Sequence, residues 1–442
     1  MEERESIKKN ILDLVDKYYN HAFTRQFVPG KTAVQNSEKL FDSHEMRLCV
    51  ESALDGWWTE GRFSNEFSRK IGETLGAKSV ALTNSGSSAN LVAISSLFSA
   101  KLGERRIKPG DEIITVASGF PTTINPIIQN GAVPVFVDVS IGNYNAVPEE
   151  IEKAVTKKTK AIALAHTLGN PFNLRKVKKI CEEHKLWLVE DCCDALGSRY
   201  DGKSVGTFGD IATLSFYPAH HITTGEGGAF FTNNAELAKI AFSIRDWGRD
   251  CSCAPGRDNS CGRRFQQKFG ELPMGYDHKY VYSNLGYNLK MTDMQASIGL
   301  AQLEKLPSFI KARKENFINF DRFMQKYKHH FHLPKAEENS EPSWFGYPMT
   351  VKEDAPFSRS EIVEFLNKNK VSTRLLFGGN ILKQPYFVEG KFKHRISGKL
   401  TNSDAVMDRS FWVGVQPSIT GEMQEYMMSI FERFEEEMEK RK

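Results

Sequence analysis

A turn at residues 84–90, with the sequence Asn-Ser-Gly-Ser-Ser-Ala-Asn, has the residue types of a phosphate-binding site. Its glycine lets a ligand come close to the backbone, its hydroxyl groups can donate hydrogen bonds, and a helix that begins there offers free N–H groups to an anion. A serine that only caps a helix would leave the same pattern. Taken alone, the turn favours that simpler explanation.

Two acids, Glu190 and Asp191, end an apolar run at residues 186–191. A carboxylate is costly to bury at the end of a central strand, so it needs a cationic or proton-sharing partner, such as the protonated nitrogen of a pyridine ring. The alternative is that Asp191 caps a helix, which is a common role for aspartate. The sequence leaves both roles open.

A histidine, His220, follows the apolar run at residues 211–217 and precedes Thr-Thr-Gly-Glu-Gly-Gly at 223–228. An imidazole has an unperturbed pKa of ~6.5, so it can take up and return a proton near neutral pH. A lone histidine is more often structural. A catalytic role for His220 must therefore be argued from the motif in which it lies.

Four of the seven cysteines form a pattern, with 57, one and seven residues between them: Cys193, Cys251, Cys253 and Cys261. The last three lie in a loop rich in Gly, Pro, Arg and Ser, where packing gives no reason for three thiols. Four thiolates can hold either zinc or an iron–sulfur cluster. The Cys-x-Cys spacing departs from the Cys-x2-Cys of zinc knuckles, which favours a cluster. The others are interpreted as small buried residues, with the side chain of Cys192 pointing away from Cys193.

The elements that position these residues form an alternating pattern. Apolar runs rich in β-branched residues predict seven strands, beginning near residues 80, 112, 133, 160, 186, 211 and 228. Helical patterns lie between several of them, which predicts an α/β fold with a mostly parallel seven-stranded sheet covered on both faces. Ligands of such sheets bind beyond the carboxyl ends of the strands. The turn at 84–90, Asp191 and His220 all follow strands.

The pattern changes near residue 306 to a long charged helix, further apolar runs and a terminal amphipathic helix, which predicts a smaller α+β domain. We divide the chain into an N-terminal helix and arm (1–45), a large domain that carries the motifs above (46–305) and a small C-terminal domain (306–442). The basic run KARK at 311–314 is interpreted as a solvated helix face.

The composition is that of a soluble globular protein: 442 residues, 40% hydrophobic and 26% charged. The net charge of +4 is too small to attract the whole protein to nucleic acid or anionic lipid. The charged N-terminus lacks the apolar core of a signal peptide, and no apolar run approaches the ~18 residues that cross a bilayer. We therefore expect a cytoplasmic protein that binds neither nucleic acid nor membrane.

Residues 215–228 resemble the cofactor-anchoring segment of the DegT/DnrJ/EryC1/StrS sugar aminotransferases, vitamin B6 enzymes of fold type I that act on nucleotide-linked keto sugars. That family has a Schiff-base lysine where this chain has His220. Imidazole cannot form a stable Schiff base with the cofactor aldehyde. The resemblance therefore implies pyridoxamine 5'-phosphate held without a covalent bond, and a proton-transfer role for His220.

The resemblance extends from about Arg47 to the C-terminus and implies roles for further residues. Those expected to bind the cofactor are Gly86 and Ser87 in the phosphate turn, Phe120 stacked on the pyridine ring, Asp191 on the ring nitrogen, Ser215 on the phosphate, and Asn288 on the phosphate of the neighbouring subunit's cofactor. The last of these implies a homodimer with shared active sites. Asp194 and Tyr217 stand where the family more often has other residues, so they are expected to shape the active site.

The histidine at position 220, together with the cysteine spacing, resembles a narrower group, the iron–sulfur nucleotide 4-keto-6-deoxyhexose 3-dehydrases. The resemblance implies C3 deoxygenation of a CDP-linked sugar in 3,6-dideoxyhexose biosynthesis, as for lipopolysaccharide O-antigens. It also implies a [2Fe-2S] cluster on the four patterned cysteines and a separate flavin and iron–sulfur reductase as partner. Two alternatives stay open: an aminotransferase relative with a structural zinc, and a non-catalytic protein that binds sugar nucleotides.

Overall fold

The computed structural model describes residues 2–23, 26–253 and 255–440. Within these ranges the strands of five or more residues are β1 Ser79–Thr83, β2 Glu112–Val116, β3 Val133–Val137, β4 Thr159–Ala165, β5 Trp187–Asp191, β6 Ile211–Ser215, β7 Gly228–Thr232, β8 Gly346–Val351 and β9 Ser410–Gly414. The α-helices are α1 Glu2–Ala22, α2 Ser43–Leu54, α3 Arg62–Leu75, α4 Gly86–Ser96, α5 Pro121–Gln129, α6 Pro148–Ala154, α7 Leu174–His184, α8 Ala235–Arg245, α9 Asp293–Met324, α10 Arg359–Lys368, α11 Pro385–Gly390, α12 Thr401–Arg409 and α13 Gly421–Glu439.

The large sheet has the strand order β1-β7-β6-β5-β4-β2-β3 and ends at a two-residue strand, Arg395–Ile396, beside β3. Only β7 is antiparallel to its neighbours β1 and β6, and the other pairings in this sheet are parallel. The seven predicted strands and the mostly parallel sheet are confirmed. The short eighth strand was not predicted, because two residues leave no periodic pattern.

The strands are mostly apolar because both faces of the sheet are covered. Along β5, Leu188 packs into one hydrophobic core with residues such as Phe67 and Phe216. Its neighbours Trp187 and Val189 point the opposite way, into a second core. The sheet therefore separates two cores, and the ends of its strands are left open.

The C-terminal part contains an antiparallel sheet of β8, β9 and two short strands, and its own core packs against α10 and α13. This is the predicted α+β arrangement. Helix α9 is longer than the sequence pattern indicated: it begins at Asp293 and continues through residues 305 and 306. The domain boundary placed there stays a prediction.

The interpretation of residues 311–314 as a solvated helix face is wrong for Arg313, which is only 1% exposed. This side chain turns inward and donates hydrogen bonds from Nη1 to the carbonyl oxygens of Trp344 and Phe345, at 3.3 and 3.2 Å. Lys311 on the same helix remains exposed. None of the helices in the described ranges is both long enough and apolar enough to cross a membrane.

Candidate active site

The turn after β1 combines a helix cap with a tightly packed glycine. Ser85 caps α4 by accepting a hydrogen bond from the backbone N–H of Ser88 at 3.0 Å, and this cap is compatible with phosphate binding at the same turn. Gly86 lies against Ser215 at the end of β6: a Cβ at position 86 would lie 2.9 Å from its Oγ. The hydroxyl of Ser87 donates to Oγ1 of Thr122 at 3.2 Å. Hydroxyl groups thus surround the first turn of a helix, whose N–H groups lack intrahelical partners.

Asp191 is buried at the end of β5 and is held by neutral donors. Its Oδ2 accepts hydrogen bonds from Nδ2 of Asn90 at 2.8 Å and from Oγ1 of Thr123 at 2.7 Å. Its Oδ1 accepts from the backbone N–H of Cys193 at 3.0 Å. It does not cap a helix, since no helix begins there. The donors fix the carboxylate in one orientation at the strand edge.

The neighbouring acid, Glu190, has a separate structural role. It is fully buried and lies 3.0 Å from Nε2 of His166. It also accepts a hydrogen bond from the backbone N–H of Gly206 at 2.8 Å. Because Nδ1 of His166 accepts from the backbone N–H of Phe172 at 3.3 Å, Nε2 carries the proton toward Glu190.

His220 forms a close pair with Asp194. Its Nε2 lies 3.2 Å from Oδ1 of that carboxylate, while its Nδ1 is buried without a hydrogen-bond partner among the described residues. A carboxylate at this distance can orient the imidazole through Nε2. The rings of Phe345 and Tyr217 flank the imidazole, with centroids 5.4 and 6.2 Å away.

Two predicted aromatic residues are open to a ligand. Phe120 directly precedes α5 and is 48% exposed, with its edge toward Phe377. Tyr217 is 50% exposed. Asn288 is also exposed, on the segment between α8 and α9, where its backbone pairs with Asp246. The structure is that of one chain, so the reach of Asn288 to a neighbouring subunit stays a prediction.

Three of the four patterned cysteines line one cavity of about 190 Å³: Cys251, Cys253 and Cys261. Its wall includes Trp247 and His278. Hydrogen bonds from the Ser260 side chain and the Cys261 backbone lower the pKa of the Cys253 thiol to about 7. Burial raises the pKa of Cys251.

The fourth cysteine, Cys193, is not among the residues that line this cavity. Its Sγ faces the phosphate turn, 3.1 Å from where a Cβ on Gly86 would lie. Burial and the carboxylate of Asp191 raise its pKa well above the ordinary thiol value. Cys192 points to the other side, against Gly206, as predicted. The structure therefore brings three of the predicted metal ligands together and leaves Cys193 beside the cofactor motifs.

Several residues that complete the site were not predicted from the sequence. Asn90 ends the turn at 84–90, and Thr122 and Thr123 follow Phe120, yet their contacts depend on how two strand ends meet. Asn90, which binds Asp191, is itself held by Thr213 of β6, whose Oγ1 donates to Oδ1 of Asn90 at 2.7 Å. Arg313 was missed because it lies in a basic run with Lys311 and Lys314.

Comparisons with known proteins point the same way as the geometry. The profile of the DegT/DnrJ/EryC1/StrS aminotransferase family matches residues 40–432. The lipopolysaccharide biosynthesis protein RfbH of Salmonella typhimurium is 56% identical over 430 residues, which cover 97% of this chain and 98% of that protein. A dTDP-4-dehydro-2,6-dideoxy-D-glucose 3-dehydratase of Saccharopolyspora spinosa is 50% identical, with 97% of this chain and 92% of that enzyme covered.

Among solved structures, the E. coli GDP-4-keto-6-deoxy-D-mannose-3-dehydratase with bound hydrated PLP is similar at a TM-score of 0.79. The two chains are 29% identical, and the match covers 90% of this chain and 99% of that one. The fold described above is therefore the vitamin B6 fold type I that the sequence predicted.

Proposed function

We propose that this chain, which belongs to the DegT/DnrJ/EryC1/StrS aminotransferase family, removes the C3 hydroxyl of a nucleotide-linked 4-keto-6-deoxyhexose rather than transferring an amino group to it. The observation that carries this proposal is His220, which stands where the family's lysine would be and pairs with a buried carboxylate. A paired imidazole is suited to proton transfer and unsuited to holding the cofactor covalently.

The relatives support the reaction and leave the nucleotide open. Two of them are 3-dehydratases, one for a dTDP-linked and one for a GDP-linked sugar. We propose a CDP-linked substrate for this chain, on the resemblance carried by its cysteine spacing. A place in lipopolysaccharide biosynthesis is supported by the similarity to the Salmonella protein.

Pyridoxamine 5'-phosphate fits the residues present. The absent side chain at Gly86 lets the turn pack directly against Ser215, which keeps the turn close to that hydroxyl so that both could bind the phosphate, and Ser87 adds a second hydroxyl. Phe120 offers an open ring face and Asp191 a fixed carboxylate for the ring nitrogen. When bound, the cofactor supplies an amine that joins the sugar ketone and a ring that accepts the electron pair left by a removed proton.

The chain's own residues then act on protons. Asp194 orients the imidazole of His220 through Nε2, and we place proton transfer at the cofactor methylene on this imidazole. The imidazole can return that proton to the C3 hydroxyl, which leaves as water. Phe345 and Tyr217 flank the imidazole and limit the access of bulk water to it.

Loss of the hydroxyl leaves a product that must gain two electrons. We propose that Cys251, Cys253 and Cys261, with Cys193 as fourth ligand, hold a [2Fe-2S] cluster, a one-electron carrier that thiolates bind. A separate flavin and iron–sulfur reductase would supply the electrons. In the proposed homodimer, Asn288 of each subunit would contact the cofactor phosphate of the other.

The test is solvent-isotope exchange at the cofactor methylene in protein loaded with pyridoxamine 5'-phosphate and substrate. His220→Asn should keep its fold and cofactor but lose exchange by roughly 10²–10⁴, the usual contribution of a general base. His184→Asn, an exposed histidine at the end of α7, is the matched control. Normal exchange in His220→Asn would refute the assignment.

Borohydride reduction with pyridoxal phosphate tests the reaction class directly. We expect no adduct at residue 220, because histidine has no amine. A stoichiometric phosphopyridoxyl group on a nearby lysine would mean that the cofactor is anchored elsewhere and that the enzyme is an aminotransferase.

A further inference from the structure

The patterned cysteines of one chain lie in two different places. Cys251, Cys253 and Cys261 line one cavity, which we call the three-cysteine cavity. Cys193 does not line it, and its Sγ lies at the turn after β1, 3.1 Å from where a Cβ on Gly86 would be. Thiolates that hold one cluster must surround the same small space. Within the described residues, a single chain does not bring its four patterned cysteines around one such space.

Cys193 is nevertheless accessible from outside the chain. It is partly exposed, whereas its neighbour Cys192 is only 1% exposed. Its backbone N–H donates to Oδ1 of Asp191 at 3.0 Å, so its position is fixed beside the carboxylate proposed for the cofactor ring. A thiol that is fixed and partly exposed at the phosphate turn can be reached by a second chain that approaches this turn.

Asn288 and the three-cysteine cavity belong to one bonded unit. The backbone of Asp246 pairs with that of Asn288, and the N–H of Trp247 donates to the carbonyl oxygen of Tyr287 at 2.6 Å. Nζ of Lys290 lies 3.0 Å from Oδ1 of Asp246 and 3.8 Å from the ring centroid of Trp247. Asp246, Trp247 and Lys290 all line the cavity. A subunit that Asn288 contacts therefore also lies close to the cavity.

The segment that leads to Asn288 also exposes apolar surface that a second copy of the chain would cover. Leu285, three residues before Asn288, is 89% exposed. Other large exposed side chains of this segment and of the cavity wall are Trp247, Phe265, Met274, Tyr276, Tyr280 and Tyr282. Exposed apolar side chains in such number are typical of a protein–protein interface. Because this surface continues into Asn288, the second copy is the partner that it fits.

We propose that the cluster bridges two subunits: the three-cysteine cavity of one subunit receives Cys193 of the partner subunit as the fourth ligand. This inference rests on the proposed function for the cluster and for the contact of Asn288 with the phosphate of the neighbouring cofactor. That phosphate is proposed to bind at the turn that contains Gly86, and Cys193 lies against the same glycine. The segment that brings Asn288 to the neighbouring turn therefore brings three thiols toward the fourth.

Mixed dimers of two single variants test this bridge by iron content and visible absorption, without any activity assay. Copies with Cys193→Ser and copies with Cys253→Ser carry different affinity tags, are co-expressed, and are purified anaerobically over both tags in turn. Neither variant should hold a cluster by itself, and full iron in either one would overturn the proposal. The mixed dimer has one intact set of four ligands across its subunits, so we expect half of the wild-type iron and absorption. Iron-free mixed dimers would overturn the proposal.

The reverse pairing is the matched control, because it gives the opposite result. A copy with both substitutions is paired with a wild-type copy. This dimer has no intact ligand set across its subunits, but it has one within the wild-type copy. We expect it to contain no iron, and half of the wild-type iron would place the cluster within one subunit and overturn the proposal. Wild-type copies that carry the two tags define the full iron content.

The same measurements separate this inference from the proposed function. Wild-type dimers without iron would refute the proposed cluster itself. Full iron in the wild type, with none in the dimer of the two single variants, would keep the cluster and refute only its position between subunits. Cys261→Ser, at an exposed cysteine of the same cavity, replaces Cys253→Ser if that variant fails to fold, and Cys193→Ala replaces Cys193→Ser.

Discussion

Single residues should determine how well the proposed site holds a phosphate, and Gly86 is one of the closely packed ones. We expect Gly86→Ala to weaken cofactor binding by roughly 1–3 kcal/mol, the usual cost of forcing a methyl group into a packed place. The added Cβ would displace the Ser215 hydroxyl. Titration of the cofactor spectrum measures the affinity.

Gly421→Ala is the matched control, because a Cβ at the start of α13 would meet no atom within 4 Å. If the two variants bind the cofactor with equal affinity, the turn at 84–90 is only a helix cap.

The residues of the site could be predicted where they lie within a sequence motif. They could not be predicted where the fold brings together residues that are far apart in the sequence. Asp194 lies 26 positions from His220 in the chain, and only the meeting of the β5 and β6 ends brings them to 3.2 Å. Arg313 was misjudged for a physical reason. A basic run on a helix is normally solvated, but one position in it faces the protein interior, where its hydrogen-bond acceptors are the carbonyl oxygens of residues 344 and 345.

The proposed metal ligands come from two segments of the chain: Cys193 follows β5, and Cys251, Cys253 and Cys261 lie between α8 and α9. Replacing Cys193 at the end of β5 by serine should bleach the iron–sulfur absorption as fully as Cys253→Ser does, if both segments hold one cluster. Reductive deoxygenation should then stop in both variants, while methylene exchange continues, because exchange needs only cofactor and His220.

Iron analysis and visible spectra of anaerobically purified protein measure the outcome, with Cys49→Ser on α2 as the control. The structure makes the contrary result informative: Cys193 faces Gly86 rather than the cavity of the other three. Full iron content in Cys193→Ser would remove it from the ligand set. If the variant loses both methylene exchange and its folded state, the metal has a structural role.

Secondary structure was predictable to the extent that a periodic pattern existed. The seven long strands of the large sheet are mostly apolar, so they were found. The start of α9 was missed because its first turns pack into the large core through residues such as Ala296 and Leu300, and its charged stretch comes later. A two-residue strand such as Arg395–Ile396 is defined only by its partner β3.

The whole molecule is expected to be a dimer with shared sites, which subunit mixing can test. Asn288→Ala and His220→Asn should each be nearly inactive alone. A mixed dimer has one site with both intact residues, so random mixing should restore about a quarter of the wild-type sites. Exchange assays after denaturation and refolding of the two variants together measure this recovery. No recovery would place Asn288 in its own subunit's site or outside any site.

Helix α9 has a consequence for how the protein melts. At 1.5 Å per residue its 32 residues span about 48 Å. One end is fixed to α3, where Asp293 accepts hydrogen bonds from the backbone of Gly61 and Ser64, and the other end places Phe320 and Met324 in the C-terminal core. Neither core can unfold without disrupting helix α9, because this helix contributes residues to both cores. We therefore expect one heat-absorption peak in scanning calorimetry, with equal calorimetric and van't Hoff enthalpies, so that in its thermodynamics the chain behaves as one indivisible body.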